Sequence, residues 1–360
     1  MSATPNILHL DWFVIQAPAG ALAEEALLYP LIPADLASGK AFCLIPYKNP
    51  KNQKPDIKFF HAEKPVKLNL KNSDIKDSLP LILKAAVTKS EYIGKVNYLK
   101  KQISIGNIYE INYCIEFFAL DIAIDPLSVY RILNRLTHAP YSRLVKLGND
   151  YILSASPELF LKKEGTNLFT KPIKGTIRRG VTAKEDELLK QQLHTSIKER
   201  TENVMAVDVA RNDLSRVASR GSVKVNRLYN IETYQTVHQM VSTVSCELKK
   251  DISFKEIIEA TFPMASMTGA PKIKAMELID ETESFSRGPY SGAMGFIEEN
   301  GDFELAVNIR SIFYNQSTGR LSIAVGSAIT YLSDPEQEYE ECLLKANALL
   351  KALNATIQEF

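Results

Sequence analysis

The chain has 360 residues with 43 basic and 42 acidic side chains, so no global field draws it to nucleic acid or to an anionic membrane. Its length allows a large core, in one interlaced unit or in two domains. The run Met1-Ser2-Ala3-Thr4-Pro5 has no basic stretch followed by an apolar one, and no apolar run approaches the roughly 18 residues of a membrane span; a cytoplasmic protein is expected.

Residues 1–87 read as a strand-rich segment packed on the core, with pieces such as Phe13-Val14-Ile15 and Ala41-Phe42-Cys43-Leu44-Ile45 broken by Pro and Gly. Lys48, Lys51, Lys54 and Lys58 fall among Asn and Pro without interleaved aromatics and read as a solvated loop. Residues 88–360 form the second unit. Its pattern predicts a helix over 88–104, strands at 151–153 and 159–161, and a long helix over 183–210. Further helices are expected at 253–261 and 271–283, then strands at 291–298, 303–314 and 320–330. A final helix over 335–354 has its start marked by Ser333, three residues before Glu336, and by Pro335. No repeat or low-complexity tract interrupts this order. The fold class is mixed α+β.

Two carboxylate pairs share an i, i+3 spacing, Glu199 with Glu202 and Glu338 with Glu341. On helices each pair lies on one face; two such helices meeting head to head would offer a hard cation oxygen ligands, but the spacing alone favours two solvated faces. The run Ser266 to Lys272 puts small residues before a helix start, an arrangement that suits either an anion site or a tight turn. Lys174, between Ile173 and Gly175, is a nucleophile if burial lowers its pKa and a plain strand-end lysine otherwise. Cys43, Cys114, Cys246 and Cys342 lack zinc or redox spacing and read as buried thiols.

The order of several runs resembles the chorismate-binding enzymes, which include anthranilate synthase large subunits, aminodeoxychorismate synthase component I, and isochorismate and salicylate synthases. The runs are 106–112 (GNIYEIN), 156–158 (SPE), 172–176 (PIKGT), 208–214 (DVARNDL), 268–272 (TGAPK), 287–290 (RGPY), 309–310 (IR) and 334–341 (DPEQEYEE). The resemblance implies a large interlaced fold of antiparallel sheets flanked by helices. It also implies magnesium held at Glu202 and Glu341, with Glu199 and Glu338 acting through metal-bound water. Tyr290, Arg310 and Lys345 match positions that hold the substrate's enolpyruvyl carboxylate, with backbone support near Gly175, Thr176 and Gly326; Thr268 is a further substrate-binding position, and His238 matches one near the ring.

Within that family, position 174 separates the branches: alanine marks anthranilate synthases and lysine the aminodeoxychorismate synthases. The resemblance therefore implies that Lys174 attacks the chorismate ring, Glu158 protonates the departing C4 hydroxyl, and ammonia displaces the lysine to give 4-amino-4-deoxychorismate. Glu110 stands where hydrating relatives carry lysine and most aminating ones glutamine; its expected role is to receive or deprotonate incoming ammonium. Ala265, Cys246 and Ala328 replace glycines of the family pattern and are expected to narrow the pocket. No cysteine sits in a glutaminase nucleophile elbow, so ammonia is expected from a separate glutamine amidotransferase subunit. The rivals are anthranilate synthase component I and a non-catalytic chorismate-sensing scaffold.

Overall fold

In the computed structural model, which describes residues 10, 12–16, 25–34, 39–47, 54–69, 80–234 and 237–358, the Pro- and Gly-punctuated first segment forms short strands. These are β1 (Trp12–Gln16), β2 (Glu25–Ala34), β3 (Ala41–Ile45), β4 (Lys58–Ala62), β5 (Val66–Asn69) and β6 (Leu81–Ala85). Then come α1 (Lys89–Ser104), β7 (Glu110–Ala119), α2 (Pro126–Thr137), β8 (Tyr141–Leu147), β9 (Asp150–Ser156), β10 (Leu159–Glu164), β11 (Asn167–Thr170) and β12 (Ile173–Arg178). The middle of the chain gives α3 (Ala183–Thr195), α4 (Ile197–Val217), β13 (Lys224–Thr233), β14 (Val237–Glu247), α5 (Phe254–Thr261), β15 (Gly269–Ala270) and α6 (Lys272–Thr282). The last elements are β16 (Ala293–Ile297), β17 (Phe303–Val307), β18 (Ser311–Asn315), β19 (Arg320–Ile329), α7 (Pro335–Leu353) and β20 (Ala355–Gln358). The N-terminal pentapeptide, Lys48 and Lys51 lie outside the described residues; Lys54 pairs with Glu259 at 3.2 Å.

Two antiparallel sheets share β2. One runs β20–β6–β7–β19–β18–β9–β8–β1–β2–β5, with β15 also on β7. The other runs β2–β4–β3–β16–β17–β10–β11–β14–β13, with β12 beside β11 on the same edge of β14. Among the described residues the β20–β6 pairing is the parallel one. The first segment is thus woven into both sheets, through β1 on β8 and β3 on β16.

Val14, Tyr29, Phe42, Phe60, Val145, Met294 and Phe296 form a buried cluster between the sheets. A larger cluster joins the first sheet to α1, α2, α6 and α7 through Tyr92, Leu133, Met276 and Tyr339. A third joins the second sheet to α4 and α5 through Leu168, Val244, Leu214 and Ile257. Burying each large apolar side chain contributes about 1.5–3 kcal/mol, so these layers hold the frame on which the polar groups are placed. Among the described residues no helix is long and apolar enough to cross a membrane.

Several expectations are corrected. The helix expected over 183–210 is broken at Ser196, whose side chain accepts from Glu199 N and starts α4 anew. The cap of α7 is Asp334, not Ser333: its carboxylate accepts from Glu336 N and Gln337 N, satisfying free N–H groups that Ser333 does not reach. Pro271 caps α6 instead of opening it. The strand expected over 303–314 splits at Arg310, which adopts a left-handed φ of 52°.

Candidate active site

Thr268 to Ala270 lies along the start of β7. Asn112 N donates to Thr268 O at 2.7 Å, and Gly269 and Ala270 pair with Ile111 and Glu110. A Cβ on Gly269 would come within 2.2 Å of Glu110 O, so glycine permits this approach. Opposite, β12 carries an extra residue between Ile173 and Thr176 relative to β14, and Gly175 takes a left-handed φ of +86°. Such a bulge re-aims a side chain. Lys174 is buried here, and its Nζ donates to Glu110 Oε1 in an ion pair whose side chains are 8% and 5% exposed.

The sequence predicts a lowered Lys174 pKa, and the structure reverses that direction. Burial alone would lower it, but Glu110, Glu202 and Glu158 together outweigh burial and hold the ammonium above the ordinary lysine range. The run around Lys174 shows the desolvation and not the carboxylates brought from other elements. Glu158, just beyond β9, is also buried. Burial pushes its carboxyl up to about 7, against the opposing influence of Ser266 and Lys174. The role expected of Glu158 needs a shift in this direction.

The four glutamates of the two pairs converge because α4 and α7 start side by side. Lys198 Nζ donates to Glu338 Oε1 at 3.2 Å and lies 3.9 Å from both Glu202 Oε1 and Glu341 Oε2. Burial pushes Glu202 up to about 8, opposed by Lys174 and reinforced by Glu110 and Glu199. Burial also raises Glu199. Glu341 goes the other way: Lys345, at 2.7 Å, and Lys198 overcome burial and lower it. Glu202 Oε1 and Glu338 Oε2 are buried without a hydrogen-bond partner. Among the described residues, no three His, Cys, Asp or Glu groups already stand close enough to hold a metal ion; the carboxylates are arrayed around an ammonium.

The predicted carboxylate-binding side is also brought together. Arg310, half-buried at the break between β17 and β18, donates from Nη1 to Lys345 O at 3.2 Å. Lys345 Nζ donates to Gly326 O at 2.7 Å. Gly326 faces Cys114 across β19 and β7, and Tyr290 OH donates to Cys114 Sγ at 3.6 Å. A Cβ on Gly326 would come within 2.5 Å of that sulfur, so glycine is required there. Thr176 accepts from Gln239 Nε2 at 3.5 Å, whereas the Thr268 hydroxyl donates to Met264 O at 3.0 Å.

His238 lies on β14, opposite Ile177 of β12. Its ring nitrogens engage Thr233 Oγ1 and Asp186 Oδ1, both at 2.9 Å, and Asp186 is clamped by Arg179 at 2.7 and 2.8 Å. It fastens β14 to α3. Cys246, expected to narrow the pocket, packs in the core with Leu168 and Val244.

Sequence reasoning missed Lys198, whose signal was its place four residues before Glu202 on one helix face. It also missed two ion pairs behind the site, one partly buried and one buried. Lys272 reaches Asp213 at 2.5 Å. Arg287 binds Glu283 at 2.6 Å and the carbonyls of Met267 and Asn112.

The fold and these groups define an α+β enzyme with a buried lysine and a buried acid, a carboxylate cluster, and the cations Arg310 and Lys345. Residues 35–351 match the chorismate binding enzyme family, and the chain belongs to that family. It is 42% identical over 265 residues to an aminodeoxychorismate synthase of Streptomyces griseus, covering 73% of this chain and 36% of that protein. To anthranilate synthase component 1 of Acetivibrio thermocellus it is 36% identical over 277 residues, covering 76% of this chain and 55% of that one. The chain therefore spans between about a third and just over half the length of these curated relatives. The menaquinone-specific isochorismate synthase MenF of Escherichia coli superposes with a TM-score of 0.78 at 17% identity, over 98% of this chain and 92% of that one. The antiparallel sheets flanked by helices are the fold the sequence implied.

Proposed function

We propose that the chain is an aminodeoxychorismate synthase component I, which converts chorismate and ammonia to 4-amino-4-deoxychorismate on the way to 4-aminobenzoate and folate. The observation that carries this reading is Lys174, buried against Glu110 and within the field of Glu158. The greater identity to an aminodeoxychorismate synthase than to an anthranilate synthase supports it.

Glu110 takes a proton from Lys174, and the free amine attacks ring C2 as the ring double bonds shift and the C4–O bond breaks. Glu158 gives its proton to the departing hydroxyl, which leaves as water. Ammonia then attacks C4, the double bonds shift back, and the C2–N bond breaks to free the lysine. Glu110 returns its proton to Lys174, and the new C4 ammonium returns one to Glu158. Since its resting partner is Lys174, the proton Glu110 first handles is the lysine's, ahead of any on incoming ammonia.

The orphaned oxygens of Glu202 and Glu338 are what a hard cation would satisfy, so the residues fit magnesium. Glu202 and Glu341 would hold it, with Glu199 and Glu338 acting through its waters. When bound, it offsets repulsion between these carboxylates and an anionic substrate. Tyr290, Arg310 and Lys345, with Gly175, Thr176 and Gly326, would hold the enolpyruvyl carboxylate. Ammonia would come from a separate glutamine amidotransferase. Cytoplasmic residence is part of the reading, supported by four free, buried cysteines.

The test is incubation with chorismate, magnesium and an ammonium salt. 4-Aminobenzoate formed only after a lyase is added supports the proposal. Anthranilate fluorescence without lyase refutes it in favour of C2 amination, and chorismate binding without turnover refutes it in favour of a scaffold.

A further inference from the structure

Lys198 occupies a place the proposed reaction does not use. It lies in the first turn of α4, and its side chain is 46% exposed, yet its ammonium reaches inward to Glu338 at 3.2 Å, with Glu202 and Glu341 each at 3.9 Å. Glu338 and Glu202 are 1% and 6% exposed. Each keeps a buried oxygen with no hydrogen-bond partner. Buried like charges at this spacing are unfavourable without a cation among them. An ammonium on a flexible four-carbon stem can supply one charge and three donors, and can withdraw to solvent by rotating that stem. Lys345 already holds Glu341 from the other side, at 2.7 Å.

We propose that Lys198 is the resident counter-ion of the carboxylate cluster: it keeps the metal-free site assembled and is displaced when a divalent cation binds. Metal binding is then an exchange of a tethered monovalent charge for a free divalent one. Lys198 weakens metal affinity while preventing the four glutamates from repelling each other apart. This inference rests on the metal reading above and adds to it a competitor built into the chain.

The experiment compares wild type, Lys198→Met and Lys198→Arg, each prepared in magnesium and then stripped with EDTA. Magnesium affinity is read by calorimetry without substrate, and melting temperature is read with and without the metal. Lys198→Met is expected to melt lower than wild type in EDTA, to regain the difference in magnesium, and to bind the ion about tenfold more tightly, since the competing charge is gone. Lys198→Arg is expected to keep the metal-free melting temperature of wild type. A wild-type protein that binds magnesium, with Lys198→Met showing the same affinity or the same melting temperature in EDTA, overturns the inference and leaves the metal reading standing. No magnesium response in either protein overturns both. A response in Lys198→Met alone supports the inference.

Discussion

Lys174 and Glu110, 64 residues apart in the chain, meet in a buried ion pair between the bulge of β12 and the first residue of β7. The carboxylates around the lysine, Glu110 foremost, outweigh burial and keep it charged. Removing Glu110 leaves burial with less opposition, so the lysine pKa falls. In wild type Glu110 takes the lysine's proton within the pair; Glu110→Gln loses that acceptor and is expected to lose C4 amination by about 10²-fold at neutral pH and fixed free ammonia. Lys174→Ala should lose C4 amination by at least about 10²-fold. An unchanged rate in Glu110→Gln at fixed free ammonia would show that Glu110 does not take the lysine's proton.

Glu158 acts as an acid only while protonated, and burial raises its pKa from 4.5 to about 7. At fixed free ammonia the rate should fall as pH rises through about 7, and Glu158→Gln should remove amination while leaving chorismate binding in place. The stability effect has the same sign. The native state keeps a proton that the unfolded chain loses above pH 4.5, so this group's contribution is complete below 4.5 and is lost as pH rises through about 7. In Glu158→Gln the slope of stability with pH in that window should flatten; urea titrations at several pH values would show it.

As candidates, the carboxylate pairs and Lys174 were legible in local runs, and Glu158, Tyr290, Arg310 and Lys345 through the family resemblance alone. What they do to one another was not. The ammonium state of Lys174 depends on Glu110, Glu158 and Glu202 arriving from separate elements, a product of topology that no window of sequence contains. The break at Ser196 was missed because the polar pattern runs through it without Pro or Gly, yet it places Glu199 and Glu202 in the first turns of a new helix. Helix α2 was overlooked although Asp125 and Pro126 give the same cap-and-proline start as Asp334 and Pro335. His238 was reached through the resemblance, and its bonds to Thr233 and Asp186 are a fastening that no run of sequence shows.

Lys272, partly buried, pairs with Asp213 and also donates to Thr261 O at 3.0 Å and Pro263 O at 2.7 Å. Burial raises Asp213 to about 6 and lowers Lys272, so on both partners desolvation exceeds the gain from pairing. Breaking one side leaves the other unpaired, which costs about 3–5 kcal/mol. Lys272→Met should lose that much by denaturant unfolding, and Lys272→Met with Asp213→Leu should recover a large part of it. A double variant no more stable than the single one would show that the carbonyl contacts, not the charges, hold this loop.

Gly175 joins backbone conformation to the carboxylate cluster. Its φ of +86° is open to glycine and costs a side-chain-bearing residue about 1–2 kcal/mol. A Cβ there would also stand 2.8 Å from Glu199 Oε2 and 3.0 Å from Leu193 Cδ1. The carboxylate is the flexible end of its side chain, so it yields first and moves away from its neighbours on α4 and α7. Gly175→Ala should therefore lose stability by that amount and, separately, require more magnesium for half-maximal rate. The second effect is the informative one, because strain alone would lower stability equally with and without metal. An unchanged magnesium requirement in a folded Gly175→Ala protein would remove Glu199 from the cation site.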